Sequence, residues 1–209
     1  MALVRNPVFA WIFARIGARN EERGNRELRQ EMLAGLSGRV VEVGAGTGLN
    51  FPHYPATVTE VIAVEPEPYL RERATAAAAE APVPIRVVDG VADRIPLDDP
   101  ADAVVVSGVL CSVADPGAAL EEFHRVLRPG GELRFYEHVR SRDPLFAAVQ
   151  RAAAPAWAAL MGGCRCAQDT LPEIRRRFTV ERVRGFRFPD GARIWPVAPR
   201  IHGAARKPG

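Results

Sequence analysis

The chain has 209 residues, 47% of them hydrophobic and 25% charged, with a net charge of +3 and a pI near 9.0. That is apolar material for one domain, or one with a small cap, and it excludes wholesale disorder. Three cysteines make no even disulfide framework and point to a reducing compartment.

At the N-terminus, Asn6-Pro7 predicts a helix start, with Asn capping free amides and Pro at the first helical position. Phe9, Ile12, Phe13 and Ile16 follow on one face. Three readings stay open for that face: packing on the domain, a lid over a ligand, or an interfacial membrane helix aided by Arg5, Arg15 and Arg19. A second helix is expected over 26–36, with Leu28, Met32 and Leu36 inward. The two make a helical cap over residues 1–36, and Ser37-Gly38 opens the main domain, 37–209. No secretory leader is visible, because Arg5 and Arg15 interrupt the early apolar residues. The charge-free stretch over 152–164 is too short to span a bilayer and contains Pro155. A cytoplasmic protein without a stable membrane anchor is expected, weak peripheral contact through residues 7–16 being the remaining membrane reading.

Val40-Val41-Glu42-Val43 reads as a buried parallel strand, ending in Gly44, Gly46 and Gly48. A dinucleotide fingerprint would place its third glycine at Leu49. Glu42 would also repel a diphosphate and favour an ammonium group. Phe51 and Tyr54 either wall a pocket or join the core. Further strands are expected over 61–65 and 85–88, separated by a helix over 69–81. A fourth runs over 102–107, with Ser107 and Gly108 facing the ligand side. Asp115-Pro116 starts a helix with Leu120, Phe123, Val126 and Leu127 inward, and His124 partly exposed. The fifth strand, 131–136, delivers Glu137 and His138 just past its end, where catalytic groups emerge in open α/β sheets. An alanine-rich helical stretch over 143–160 is expected to be interrupted by Pro155, with Trp157 and Met161 lining an apolar pocket. Thr170 and Glu173 make a capping box for a helix ending near Phe178, and Arg175-Arg176-Arg177 reads as a solvated helix face. Two final strands, over 179–183 and 194–204, pair as a hairpin with a long connection. Cys164-Arg165-Cys166 has the look of half a metal site, but His53, His124, His138 and His202 show no zinc-like spacing. Structural thiols and no metal are therefore expected.

The run Glu42-Val43-Gly44-Ala45-Gly46-Thr47-Gly48 resembles the first motif of the Rossmann-like (class I) S-adenosylmethionine (SAM) methyltransferases. Glu65, Asp89-Gly90, Asp102 and Leu127–Gly131 follow in that family's order. The resemblance implies an α/β fold: a seven-stranded, mostly parallel sheet with helices on both faces and a small N-terminal helical cap. It implies SAM as cofactor, leaving as S-adenosylhomocysteine. It places the cofactor against Glu42, Gly44, Ala45, Gly46, Thr47, Gly48, Glu65, Pro66, Val91, Ala92, Ser107 and Gly108. Glu65 lies about 20 residues past the glycine turn, where an acid accepts from ribose hydroxyls.

Gly44–Tyr54, Val109–Val113, Glu137-His138-Val139, Pro155-Ala156-Trp157, Gly163-Cys164 and Pro199–Gly203 narrow the resemblance to small-molecule alkyl thiol S-methyltransferases. Residues 1–30 lack those enzymes' longer apolar anchor, and 165–193 match poorly, so a thiol and a phenol or quinol both remain open as acceptor. Methyl transfer needs no metal, and His138 is the candidate base with Glu137 orienting it or binding acceptor. A nucleic-acid methyltransferase is the alternative. However, Ser107-Gly108-Val109-Leu110 stands where an Asn-Pro-Pro-Tyr motif belongs, and no cysteine follows a proline. A SAM-binding module without catalysis and a dinucleotide oxidoreductase complete the rivals. A small-molecule acceptor, no nucleic acid, and a monomer or homodimer are expected.

Overall fold

Short β-branched runs bounded by glycine and proline form the centre of the molecule, where their side chains pack on both faces of a pleated surface. The computed structural model describes residues 7–189 and 195–209. Its strands are β1 (Gly38–Val43), β2 (Val58–Val64), β3 (Ile85–Val88), β4 (Ala101–Ser107), β5 (Leu127–His138), β6 (Thr179–Arg187) and β7 (Pro199–Arg206). They form one sheet in the order β3-β2-β1-β4-β5-β7-β6. Pairings among β1 to β5 are parallel, whereas β7 runs antiparallel to both neighbours. The α-helices among the described residues are α1 (Pro7–Asn20), α2 (Arg26–Leu33), α3 (Pro68–Ala78), α4 (Pro116–Val126), α5 (Pro144–Leu160) and α6 (Leu171–Arg177).

Alternation along the strands divides the core. Val41, Val43, Ile62, Val64, Val104 and Phe135 meet Leu120 and Phe123 of α4 and Ile174 of α6. Val40, Val61, Ala63 and Val105 meet Met32 and Leu33 of α2 and Ala74 of α3 on the other face. Each fully buried side chain of this kind stabilises by about 1.5–3 kcal/mol. Three helices start as their residues dictate, with proline in the first turn and a capping carboxylate before it. Glu67 accepts from Leu70 N, Asp115 from Gly117 N and Ala118 N, and Asp143 from Leu145 N and Phe146 N.

Several boundaries differ from expectation. Helix α5 continues through Pro155: Pro155 and Arg151, whose carbonyl loses its amide partner there, are both exposed, so water can take up that carbonyl. The capping box does not form: Thr170 is helical in its own backbone, its buried Oγ1 has no partner, and Glu173 pairs with Arg176 and Arg177 instead. Strand β6 extends to Arg187, and β7 begins at Pro199. The proposed cap at Asn6 and the strand start at Ile194 lie outside the described residues.

The two N-terminal helices separate in their roles. A short π-helical turn, Glu21–Asn25, kinks at Gly24 (φ 101°) and redirects the chain. Helix α2 then packs into the core and is fastened to β5, Arg134 Nη1 donating to Met32 O and Ala34 O. Helix α1 lies elsewhere, over the end of the sheet. No helix among the described residues is long and apolar enough to cross a membrane.

Candidate active site

The chain leaves β1 toward β2 on one side and later returns to β4 on the other, so the carboxyl ends of β1 and β4 part at a topological switch point. The turn after β1 fills that point. Gly44, Gly46 and Gly48 have φ of 69°, 59° and 81°, in the left-handed region that suits glycine. At Gly48 a Cβ would stand 2.7 Å from the Phe51 ring and 2.9 Å from Ala77 Cβ. The loop therefore presents bare backbone. Ala45 is buried beneath it, and Thr47 is half-buried on its rim.

Glu65 closes the next edge. Its Oε2 accepts from Gly46 N at 2.8 Å and its Oε1 from Glu67 N at 3.0 Å. Burial pushes its carboxyl up to about 7 against the pull of those two amides. A carboxylate offers about four lone-pair sites, so two amide bonds leave capacity for two hydroxyl donors. Arg71 Nη1 donates to Glu65 O, Pro66 O and Asp89 Oδ1, tying the β2 end to the β3 end. Beyond β3, half-buried Val91 pairs with Arg94, and Ala92 packs against the core.

Glu42 does not present a free carboxylate to an ammonium group. Its oxygens accept from Asn50 Nδ2 (2.9 Å) and Tyr54 OH (2.6 Å), while Arg29 Nη1 donates to Asn50 Oδ1. Burial raises its carboxyl to about 7, opposed by Tyr54 and Asn50. Phe51 and Tyr54 accordingly belong to the core.

The β4 and β5 ends bring a second group together. Ser107 and Gly108 are half-buried, and Gly108 N donates to Tyr136 O at 2.8 Å. Glu137 turns into the protein: it accepts from Val109 N, Leu110 N and Cys111 N at 2.9, 3.0 and 3.2 Å. Glu137 was expected either to orient His138 or to bind acceptor; its oxygens are engaged by these three amides, and adjacent strand residues face opposite ways, so His138 points away from it. The His138 Cε1 atom lies 3.9 Å from where a Gly108 Cβ would stand. Its Nδ1 is 3.3 Å from Cys111 Sγ and 3.6 Å from Cys164 Sγ, and the sulfurs are 3.7 Å apart.

Cys164 reaches this position because Gly163 (φ 86°) approaches Ser112 O, which would stand 3.0 Å from a Cβ there. Arg165 N then donates to Cys111 O at 2.7 Å. Hydrogen bonding from Cys111 and then His138 pulls the Cys164 thiol down, while the same pairing and burial push Cys111 up. Burial, then the charge of Arg200, lowers His138. Trp157 and Met161, expected to line an apolar pocket, pack against the cysteines. Trp157 Nε1 is buried without a partner at hydrogen-bond geometry, though it is near enough to favour the Cys164 thiolate. Spacing along the chain misses this cluster because its members come from three elements. The legible signal is that Cys111 comes shortly after the carboxyl end of β4 and His138 ends β5, its parallel neighbour.

Helix α1 covers the glycine turn. Phe13 Cε1 is 3.1 Å from a Gly46 Cβ position, Leu49 Cδ1 is 3.0 Å from that of Gly17, and Phe9 packs on Gly162 beyond α5.

A sheet of this order with one reversed strand, carrying a glycine turn at its switch point and an acid after β2, defines the class I SAM-dependent methyltransferases. A family model described as "Methyltransferase domain" matches residues 41–135. The human thiol S-methyltransferase TMT1B is 35% identical over 198 residues, covering 90% of this chain and 80% of the human protein. The mouse TMT1B is 36% identical over 211 residues, covering 95% and 86%. The chain belongs to this thiol S-methyltransferase family and is a SAM-dependent methyltransferase. Solved structures agree on the fold. A SAM-dependent methyltransferase from Thermotoga maritima superposes with TM-score 0.66 at 21% identity, over 97% of this chain and 98% of that one. The N-methyltransferase NodS from Bradyrhizobium japonicum, in complex with S-adenosylhomocysteine, gives 0.64 at 16%, over 90% and 87%.

Proposed function

We propose that this enzyme methylates the sulfur of a small, apolar thiol. The observation that carries the reading is the sulfur–imidazole group at the β4 and β5 ends, beside Gly108 and walled by Trp157 and Met161. A neutral, apolar acceptor suits such a wall, and the relatives' printed names supply the thiol. When bound, SAM supplies an electrophilic methyl on a sulfonium whose departure needs no metal.

The chain's own residues do the rest. Gly44, Ala45, Gly46, Thr47 and Gly48 offer backbone to the cofactor's amino-acid part, and Glu65 with Pro66 holds the ribose. Val91 and Ala92 border the base, with Ser107 and Gly108 between cofactor and acceptor. Glu42 supports the turn from behind through Tyr54 and Asn50. Glu137 positions the loop that carries Cys111, and the acceptor's proton leaves at the group containing half-buried His138. Positioning and exclusion of water provide much of the rate. Helix α1 acts as the lid, and the three reduced thiols suit a cytoplasmic enzyme.

The test is a panel of alkyl thiols, phenols and a quinol, each incubated with SAM and the purified protein and read by mass spectrometry. Thioethers are the expected product. Methyl ethers without thioethers overturn the thiol reading, and SAM binding with no product from any acceptor overturns the enzyme.

A further inference from the structure

Cys111, His138 and Cys164 place three ligand-type atoms within 4.8 Å of one another, the one such group among the described residues. We propose that these three side chains hold a zinc ion whose fourth position takes the acceptor thiol, an inference that rests on the thiol reading above.

The distances support an ion. With Zn–S of about 2.3 Å and Zn–N of about 2.0 Å, tetrahedral angles set two sulfurs about 3.8 Å apart and sulfur and nitrogen about 3.5 Å apart. The observed separations are 3.7 Å between the sulfurs and 3.3 and 3.6 Å from sulfur to Nδ1. A disulfide would need the sulfurs at about 2.05 Å, and all three cysteines are free. Two thiolates also neutralise a divalent ion, which lowers the cost of burying it. Three protein ligands of this composition leave a fourth position open, as in catalytic rather than structural zinc sites.

The cluster is also built rather than incidental. Glu137 fixes the Cys111 amide at 3.2 Å, Gly163 permits the close approach of Cys164, and Arg165 N pins the two loops together. The His138 Cε1 atom borders the Gly108 side of the group, 3.9 Å from where a Cβ would stand there, and the fourth position is assigned to that side.

The chemistry follows. A thiol entering the fourth position displaces water and loses its proton to solvent, since a coordinated thiol is deprotonated outright. Its sulfur lone pair forms the new bond to the methyl carbon. The methyl–sulfonium bond breaks, its electron pair returning to the departing thioether of S-adenosylhomocysteine. Thiol plus SAM thus become methyl thioether, S-adenosylhomocysteine and one proton. The neutral thioether is a weaker ligand and leaves.

Metal content by mass spectrometry, on tag-free protein purified under reducing conditions with zinc present, tests the site without reference to turnover. About one zinc per chain is expected, falling at least tenfold in Cys111→Ser and Cys164→Ser while SAM affinity by calorimetry persists. No zinc in the wild type, or equal zinc in wild type and both variants, overturns the site. Cobalt substitution of the wild type needs no variant to fold: thiolate-to-cobalt charge-transfer absorption is expected, and its absence has the same meaning. Butanethiol should then shift the cobalt bands. Unchanged bands with zinc present overturn acceptor binding at the metal. If the metal binds and the bands shift but only phenols are methylated, the thiol reading falls while the site stands.

Discussion

Glu65 does two things with one carboxylate. It holds the glycine turn through Gly46 N and the following turn through Glu67 N, and in the proposed complex its remaining lone pairs accept from the ribose. Glu65→Gln keeps the shape but replaces one acceptor oxygen by a donor. A hydrogen bond to a charged group is worth about 1.5–3 kcal/mol, so SAM affinity by calorimetry should fall roughly ten- to hundredfold. An unchanged dissociation constant would remove the ribose role. Glu65 was legible in the sequence because an acid ending the second apolar run has one natural place, the carboxyl edge of β2. Glu42 and Glu137 were legible only as positions. Their side chains turn to Tyr54 and to three backbone amides, and nothing local to either residue encodes those partners. Cys164 was less legible still, for its neighbours lie on β5 and on the loop after β4. Only the path of the chain after α5 brings them together.

At the scale of elements, α1 differs from every other helix in what its apolar face covers. Phe13 lies against Gly46 and Phe9 against Gly162, so the helix bridges the glycine turn and the segment leading to Cys164. The periodicity of Phe9, Ile12, Phe13 and Ile16 made the helix readable, yet it fitted a lid and a membrane surface equally well. Contact with the glycine turn favours the lid. Helix α2, grouped with it in the sequence reading, is committed to the core through Met32 and Leu33. Phe13→Ala should therefore accelerate SAM release without much effect on overall stability, because Phe13 is half-buried and outside both main clusters. Stopped-flow displacement measures this. An unchanged release rate would mean that α1 packs beside the site without closing it. The sheet itself was readable strand by strand, whereas the last pair shifted by several residues: edge strand β6 exposes much of both faces, and β7, inserted between β5 and β6, is buried on both, so neither alternates cleanly.

Across the whole molecule, three buried carboxyls, Glu42, Glu65 and Glu137, couple folding to pH. Burial first, against opposing hydrogen bonds, raises each of them to about 7 from an ordinary 4.5. A raised carboxyl holds its proton in the folded state at pH values where the unfolded chain has released it. The stability it contributes is thus complete below about pH 4.5 and is lost as pH climbs through about 7. His53, His124, His138 and His202 are lowered by burial and act in the opposite sense, so total stability is the wrong readout. Differences isolate the carboxyls. Glu42→Gln cannot ionise, so its melting temperature should gain on wild type between about pH 5 and about pH 8. For Glu65 the relevant difference is between SAM-saturated and ligand-free protein. Ribose hydroxyls donate to the ionised form, so binding favours loss of the proton, and affinity should rise through about pH 7. Ligand at 100 times its dissociation constant stabilises by about 2.7 kcal/mol, or roughly 5–11 °C for a chain of this size. That increment, measured at fixed SAM by differential scanning fluorimetry, should widen from about pH 6 to about pH 7.5 and become flat in Glu65→Gln. An increment that narrows with pH would place the ribose on a different group, and with it the cofactor's position along the sheet edge.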